Sequence, residues 1–84
     1  MDNAVENNFW WSIELEASAE SGVAASEEAL LTMADLSGSI GSELFEEEGN
    51  VVLRAAYRRS EPVAHWLSLL KALGAGYPGV RVRS

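Results

Sequence analysis

The chain has 84 residues, with thirteen acids, six bases and a formal net charge of -7. It contains no cysteine, which excludes disulfide staples and thiolate metal sites. Its pI near 4.5 argues against a general nucleic-acid binder, which needs a net basic face.

Residues 1–8, Met1-Asp2-Asn3-Ala4-Val5-Glu6-Asn7-Asn8, are acidic and polar and read as an extended or disordered leader. They have neither the basic nor the apolar region of a secretory signal. No apolar run approaches the ~20 residues that span a bilayer, so a soluble, cytoplasmic protein is the default expectation. Residues 9–84 are expected to form a single domain, with 48% hydrophobic residues to supply its core.

Phe9 to Glu16 alternates, with Phe9, Trp11, Ile13 and Leu15 on one face and Trp10, Ser12, Glu14 and Glu16 on the other. This pattern predicts a half-buried strand with Trp11 in the core. Ser18 or Ser21 offers an N-cap. A helix is predicted from there to Asp35, with Val23, Glu27, Leu30 and Ala34 in line, Ala24 and Leu31 beside them, and Glu20, Glu27 and Glu28 near its positive end. Ser37-Gly38 breaks the helix. Ile40, Ser42 and Leu44 then alternate with Gly41, Glu43 and Phe45 as a second strand.

Glu46 to Asn50 is a turn in which Gly49-Asn50 can take positive φ. Val51 to Arg58 is a third strand, its Val51, Leu53, Ala55 and Tyr57 opposed to Val52, Arg54, Ala56 and Arg58. Ser60-Glu61-Pro62 reads as a capped helix start. Val63, Trp66, Leu67, Leu70 and Leu73 follow at helical spacing, with Gly74 as the stop. After Tyr77-Pro78-Gly79, Val80 and Val82 alternate with Arg81 and Arg83 in a last strand.

Strand, helix, strand, strand, helix, strand at this length is the α+β, ferredoxin-like split βαβ sandwich: four antiparallel strands with both helices on one face. Its usual strand order, 4-1-3-2, gives meaning to an uneven charge distribution. The first fifty positions carry twelve acids and no base; the rest carry six bases and one acid. In that order Glu14 and Glu16 lie between Arg81 and Arg83 on one side and Arg54 and Arg58 on the other. Opposite charges facing each other across strands contribute about 0.2–1 kcal/mol per pair, so the charge split reads largely as complementarity within one sheet.

Several patterns suggest chemistry that their context does not support. Gly74-Ala75-Gly76-Tyr77-Pro78-Gly79 matches G-x-G-x-x-G, but a helix precedes it and a short strand follows, the reverse of a dinucleotide loop. His65 is the single histidine, so one chain cannot build a histidine pair or triad. Glu46, Glu47 and Glu48 are consecutive and their side chains diverge, so they read as a solvated hairpin tip. An acylphosphatase-like activity would need an anion-binding arginine and a glycine-rich loop after the first strand, where Glu16 to Ser21 is acidic. An RNA-recognition sheet would need stacked aromatics on its central strands, and the exposed set of strand three has none.

Trp10 is expected on the open sheet face with Phe45 and the stems of Arg54 and Arg81. There it serves as packing and cation–π support or as an anchor for a partner. Trp10, Phe45, Arg54, Arg58 and Arg81 are therefore the candidate protein-binding residues, with no catalytic or metal-binding residue among them.

The Trp-rich opening Trp10-Trp11-Ser12-Ile13-Glu14-Leu15, the helix segment Glu27-Glu28-Ala29-Leu30-Leu31 and the turn Leu36-Ser37-Gly38-Ser39-Ile40 together resemble the amino-terminal domain of the PrmA family. These are bacterial methyltransferases of large-subunit ribosomal protein eleven. The resemblance implies a ferredoxin-like module that holds the ribosomal protein and carries no cofactor, while S-adenosylmethionine belongs to a separate carboxy-terminal domain. This chain departs from the family by ending at Ser84, without the methyltransferase domain, so methyltransferase activity is not expected of it alone. Neither direct nucleic-acid nor membrane contact is expected. Other uses of the fold stay open: a small-molecule sensor of the ACT type, dimerised side by side with ligand between helix and strand, or a homodimerising adaptor.

Overall fold

The computed structural model describes residues 9–20 and 22–83. The expected leader at 1–8 and the alternative N-cap Ser21 lie outside them. The elements are β1 (Trp10–Ser18), α1 (Val23–Leu36), β2 (Gly41–Glu47), β3 (Asn50–Arg58), α2 (Val63–Gly74) and β4 (Val80–Val82). The four strands form one antiparallel sheet in the order β2-β3-β1-β4, the ferredoxin-like arrangement that the element order predicts. β1 pairs with β3 along its whole length, Trp10 facing Arg58 and Ser18 facing Asn50. β4 covers only Leu15 to Ala17 of β1.

The alternation in the strands fixes which side is packed. Ile13, Leu15 and Ala17 of β1 and Val51, Leu53, Ala55 and Tyr57 of β3 meet Leu30, Met33 and Ala34 of α1 and Trp66 and Leu70 of α2 in one buried cluster. Both helices thus cover the same face. Tyr57 stacks on Trp66 with ring centroids 5.1 Å apart, and the Trp66 indole donates to the Arg58 carbonyl at 2.9 Å. The Tyr57 hydroxyl lies 2.7 Å from Ser37 Oγ, which itself donates to the Ala34 carbonyl at 3.0 Å. Burial pushes the Tyr57 phenol above its ordinary value of 10.0, because the low-dielectric core disfavours the phenolate.

α1 is built mainly from Ala, Leu, Glu and Met, good helix formers, and it ends as Ser37-Gly38 predicts. Gly38 takes φ 86°, Gly38 N–H donates to Asp35 O and Ser39 N–H to Ala34 O; these are the two bonds of a Schellman stop.

Other local expectations are corrected. Gly22, rather than a serine, occupies the N-cap of α1, and no side chain caps it. Ser18 Oγ accepts from the Glu20 N–H, and the Ser18 carbonyl accepts from Ser26 Oγ at 2.6 Å. With the first turn at Val23, Glu27 and Glu28 fall in the second turn, beyond the strong end of the dipole. The buried line of α1 runs Ser26, Leu30, Met33 and Ala34, while Leu31 is 44% exposed.

Ser60 does not cap α2. Proline disfavours helical backbone at the residue before it; Arg59 to Glu61 form a turn and bend, extended Pro62 is the N-cap, and the helix begins at Val63. Gly74 is the last helical residue, and α2 closes with short-range bonds from Ala75 N–H to Ala72 O and from Gly76 N–H to Leu73 O. The hairpin loop is Glu48-Gly49, with φ 52° and 81°. The turn expected over Glu46 to Asn50 is thus shorter, with positive φ at Glu48-Gly49 in place of Gly49-Asn50, because the pairings Leu44–Leu53 and Phe45–Val52 set a register in which Glu46 and Glu47 belong to β2 and Asn50 to β3.

Candidate functional site

The face without helices carries the charges. Arg54 of β3 donates from Nε and Nη2 to Glu14 Oε2 at 3.0 and 2.9 Å, and from Nη1 to Glu43 Oε1 at 3.1 Å. Arg83, just beyond β4, reaches Glu47 Oε1 at 2.6 Å, Glu16 Oε1 at 3.2 Å and Glu14 Oε1 at 3.5 Å. Arg81 pairs with Glu16.

Three arginines and four glutamates therefore form one network running from Glu43 on β2 to Arg81 on β4. Its physical origin is register: Glu14 faces Arg54 and Glu16 faces Arg81 directly across the strands. The guanidinium of Arg54 is held above its ordinary value chiefly by the hydrogen bond to Glu14. That of Arg83 is held up first by its hydrogen bond to Glu47.

All five candidate residues lie on or beside this face, but the structure divides them. Trp10, half-buried, walls a shallow groove of about 260 Å³ together with Ser12, Gly41, Glu43, Arg54 and Ala56. Gly41 leaves that groove open, with nothing within 4 Å of where a Cβ would stand. Arg58 faces Trp10 across the pairing. Phe45 lies under the Arg54 guanidinium, 5.2 Å from ring centroid to Cζ.

Phe45 and Arg81 are not brought to Trp10. Phe45 pairs with Val52, and Arg81 with Glu16, itself opposite Val52. Val52 is six positions along β3 from the partner of Trp10, roughly 20 Å at about 3.3 Å per residue. Val52, expected among the exposed residues of β3, is fully buried. Its neighbours directly across the strands are Phe45 on β2 and Glu16 on β1.

Trp11 is also corrected. It is half-buried at the margin of the core instead of within it. Its indole N–H donates to the Glu61 carbonyl at 2.7 Å, and Arg59 lies over its ring at 3.8 Å. This ties the start of β1 to the entry of α2. Sequence reasoning missed that clasp, because Arg59 follows β3 and no strand register places it. It also missed Glu43 and Glu47 as network members. The Glu43 pairing was available once the hairpin register is known; the Arg83–Glu47 contact joins the two outer strands of the sheet, which no single strand pairing predicts.

The glycine-rich 74–79 segment has no cradle of free amides. Ala75, Gly76, Tyr77 and Val80 N–H groups all donate to carbonyls of the segment itself or of the last turn of α2. His65 is exposed and stands edge-on to Trp66 at 4.7 Å. Among the described residues no group of three or more His, Cys, Asp or Glu side chains could hold a metal ion, and no helix is long and apolar enough to cross a membrane. Comparison with models of protein families, with curated proteins and with solved structures gives no match.

Proposed function

We propose that this domain is a non-catalytic protein-recognition module of the kind the PrmA family uses to hold its substrate, with large-subunit ribosomal protein eleven as the partner. The observation that carries the reading is the Trp10 groove. Around it the arginines and glutamates of the sheet are matched to one another, so a partner docking there meets an aromatic wall with few uncompensated charges. Such anchors, flanked by polar groups that already have partners, carry most of the binding energy of protein interfaces. The β-α-β-β-α-β fold and the Trp-rich first strand are the features by which the chain resembles that family's amino-terminal domain.

Titration calorimetry of the domain with the ribosomal protein, for wild type and Trp10→Ala, tests the reading. Loss of an aromatic anchor costs about 2 kcal/mol or more, a weakening of about thirtyfold, while urea unfolding of the variant stays cooperative. Equal affinity of the two proteins, or no heat with either, rejects it.

A further inference from the structure

We propose that the Trp10 groove takes a segment of a partner protein in which one large apolar side chain lies within two residues of an acid, the apolar group entering the groove and the acid meeting Arg58. This deepens the recognition reading above and rests on it for the groove itself. The strand pairings set out the site as rows of side chains on the helix-free face. Trp10 stands opposite Arg58; Ser12, Ala56 and Gly41 form the next row; Glu14, Arg54 and Glu43 form the one after. Side chains on one face recur at every second residue, so the outer rows are about 13 Å apart along the strands, at about 3.3 Å per residue. The middle row is small, and this makes the groove: a low floor between a wall of Trp10 and Arg58 and a wall of glutamates around Arg54.

The two walls differ in charge. Arg54 is held by both Glu14 and Glu43, and Glu14 is shared with Arg83, so that wall offers no unmatched cation. Arg58 is exposed, and no described carboxylate pairs with it. Arg59 also lacks an acid among the described residues, but it lies over the Trp11 ring at 3.8 Å, at the margin of the core. Arg58 is therefore the one arginine of the open face, among the described residues, that no carboxylate already holds. A partner carboxylate there gains a charge-assisted hydrogen bond without displacing another.

The groove also selects by size. At about 260 Å³ and shallow, it falls below the clefts of about 300–1,000 Å³ that enclose small-molecule ligands, and suits one side chain projecting from a larger partner. A nucleic-acid strand is disfavoured by the opposite wall, where the Glu43 side chain is 65% exposed and would face its phosphates. Arg58 lies one row from the floor, about 6.6 Å, which is the spacing of side chains two residues apart in an extended segment.

The test is a titration of the isotopically labelled full chain with end-blocked peptides Gly-Phe-Gly-X-Gly, in which X is glutamate, glutamine or lysine, followed by amide shifts. The expected shifts centre on Trp10, Ser12, Gly41 and Ala56. The glutamate peptide is expected to bind about threefold more tightly than the glutamine peptide and about tenfold more tightly than the lysine peptide. Both differences should shrink in about 1 M salt.

Arg58→Gln, at an exposed position, is expected to bind the glutamate and glutamine peptides alike while its urea unfolding stays cooperative. Trp10→Ala is expected to lose the groove shifts with every peptide. Groove shifts of equal strength for all the peptides overturn the acid preference and leave the groove as a recognition surface. Shifts centred elsewhere, or none with any peptide, overturn the occupancy of the groove itself. A glutamate preference that survives in Arg58→Gln places the acid on another cation and overturns the assignment. So do groove amides that move with protein concentration in the absence of peptide, which would make a second copy the occupant.

Discussion

Glu14→Gln is the substitution that most directly probes the charge network of the sheet. The Glu14 carboxylate sits at its centre, taking two hydrogen bonds from Arg54 at Oε2 and the more distant Arg83 at Oε1. Its side chain is 23% exposed, against 47% for Arg54 and 33% for Arg83. Such partial exposure rules out the values of buried pairs and places each contact in the range of about 0.2–1 kcal/mol. The two-pronged Arg54 contact belongs near the top of that range and the 3.5 Å contact near the bottom.

Glutamine keeps the shape and one acceptor oxygen but loses the charge, so the expected loss is about 1 kcal/mol. For a domain of this size that is about 4–8 °C in Tm. Urea unfolding in low salt and in about 1 M salt is the assay, since the Debye length falls from about 10 Å at 0.1 M to about 3 Å at 1 M. At least half of the difference should then disappear. Glu28→Gln, on the exposed side of α1, should stay within about 0.5 kcal/mol of wild type. A Glu14→Gln effect below about 0.3 kcal/mol, or one of the same size at both salt concentrations, would refute a network that stabilises the sheet through charge.

Two further changes probe the core and the hairpin. The phenol of Tyr57 has a folded value raised above that of the unfolded chain, so its contribution is complete below about pH 10 and is lost as pH rises above it, where only the unfolded state releases the proton. Chemical unfolding between about pH 9 and about pH 11 should show a steeper alkaline decline for wild type than for Tyr57→Phe; equal slopes would contradict the buried phenol. Glu48 is the one non-glycine residue with positive φ among those described, in a two-residue loop with Gly49. Asparagine suits that position, so Glu48→Asn should raise stability by about 0.5–1 kcal/mol, and a lower unfolding midpoint would count against the turn assignment.

Much of the sheet could be read from the residues because its information is periodic. The alternation in Trp10 to Glu16 and in Val51 to Arg58 separates the two faces. Once strand order follows from the element order, Glu14 and Glu16 fall between the arginines of β3 and β4; the register then decides that Glu14 meets Arg54, Glu16 meets Arg81, and Arg58 faces Trp10. Features that depend on an offset of one residue were less legible. Gly49-Asn50 and Glu48-Gly49 are both chemically suitable loops, and only cross-strand pairing of apolar residues chooses between them.

The caps failed for a related reason. Ser60 and Pro62 each signal a helix start, but in this chain the extended proline carries the chain past the serine. Trp11 and Val52 show a third limit. Alternation assigns a side to each residue, whereas burial depends on what lies over it: Trp11 is left at the margin of the core, and Val52 is covered on the side expected to face solvent. The grouping of Trp10 with Phe45, Arg54, Arg58 and Arg81 ignored distance along the strands, which is why Arg54 alone of those four lines the groove with Trp10.

The recognition reading is tested most directly by mapping amide shifts on the domain as unlabelled large-subunit ribosomal protein eleven is added. Contact through the Trp10 groove predicts shifts concentrated at Trp10, Ser12, Gly41 and Ala56 and at the Trp10 indole N–H, with the helices unchanged. Shifts confined to α1 and α2, or a spectrum unaltered at saturating partner, would contradict it.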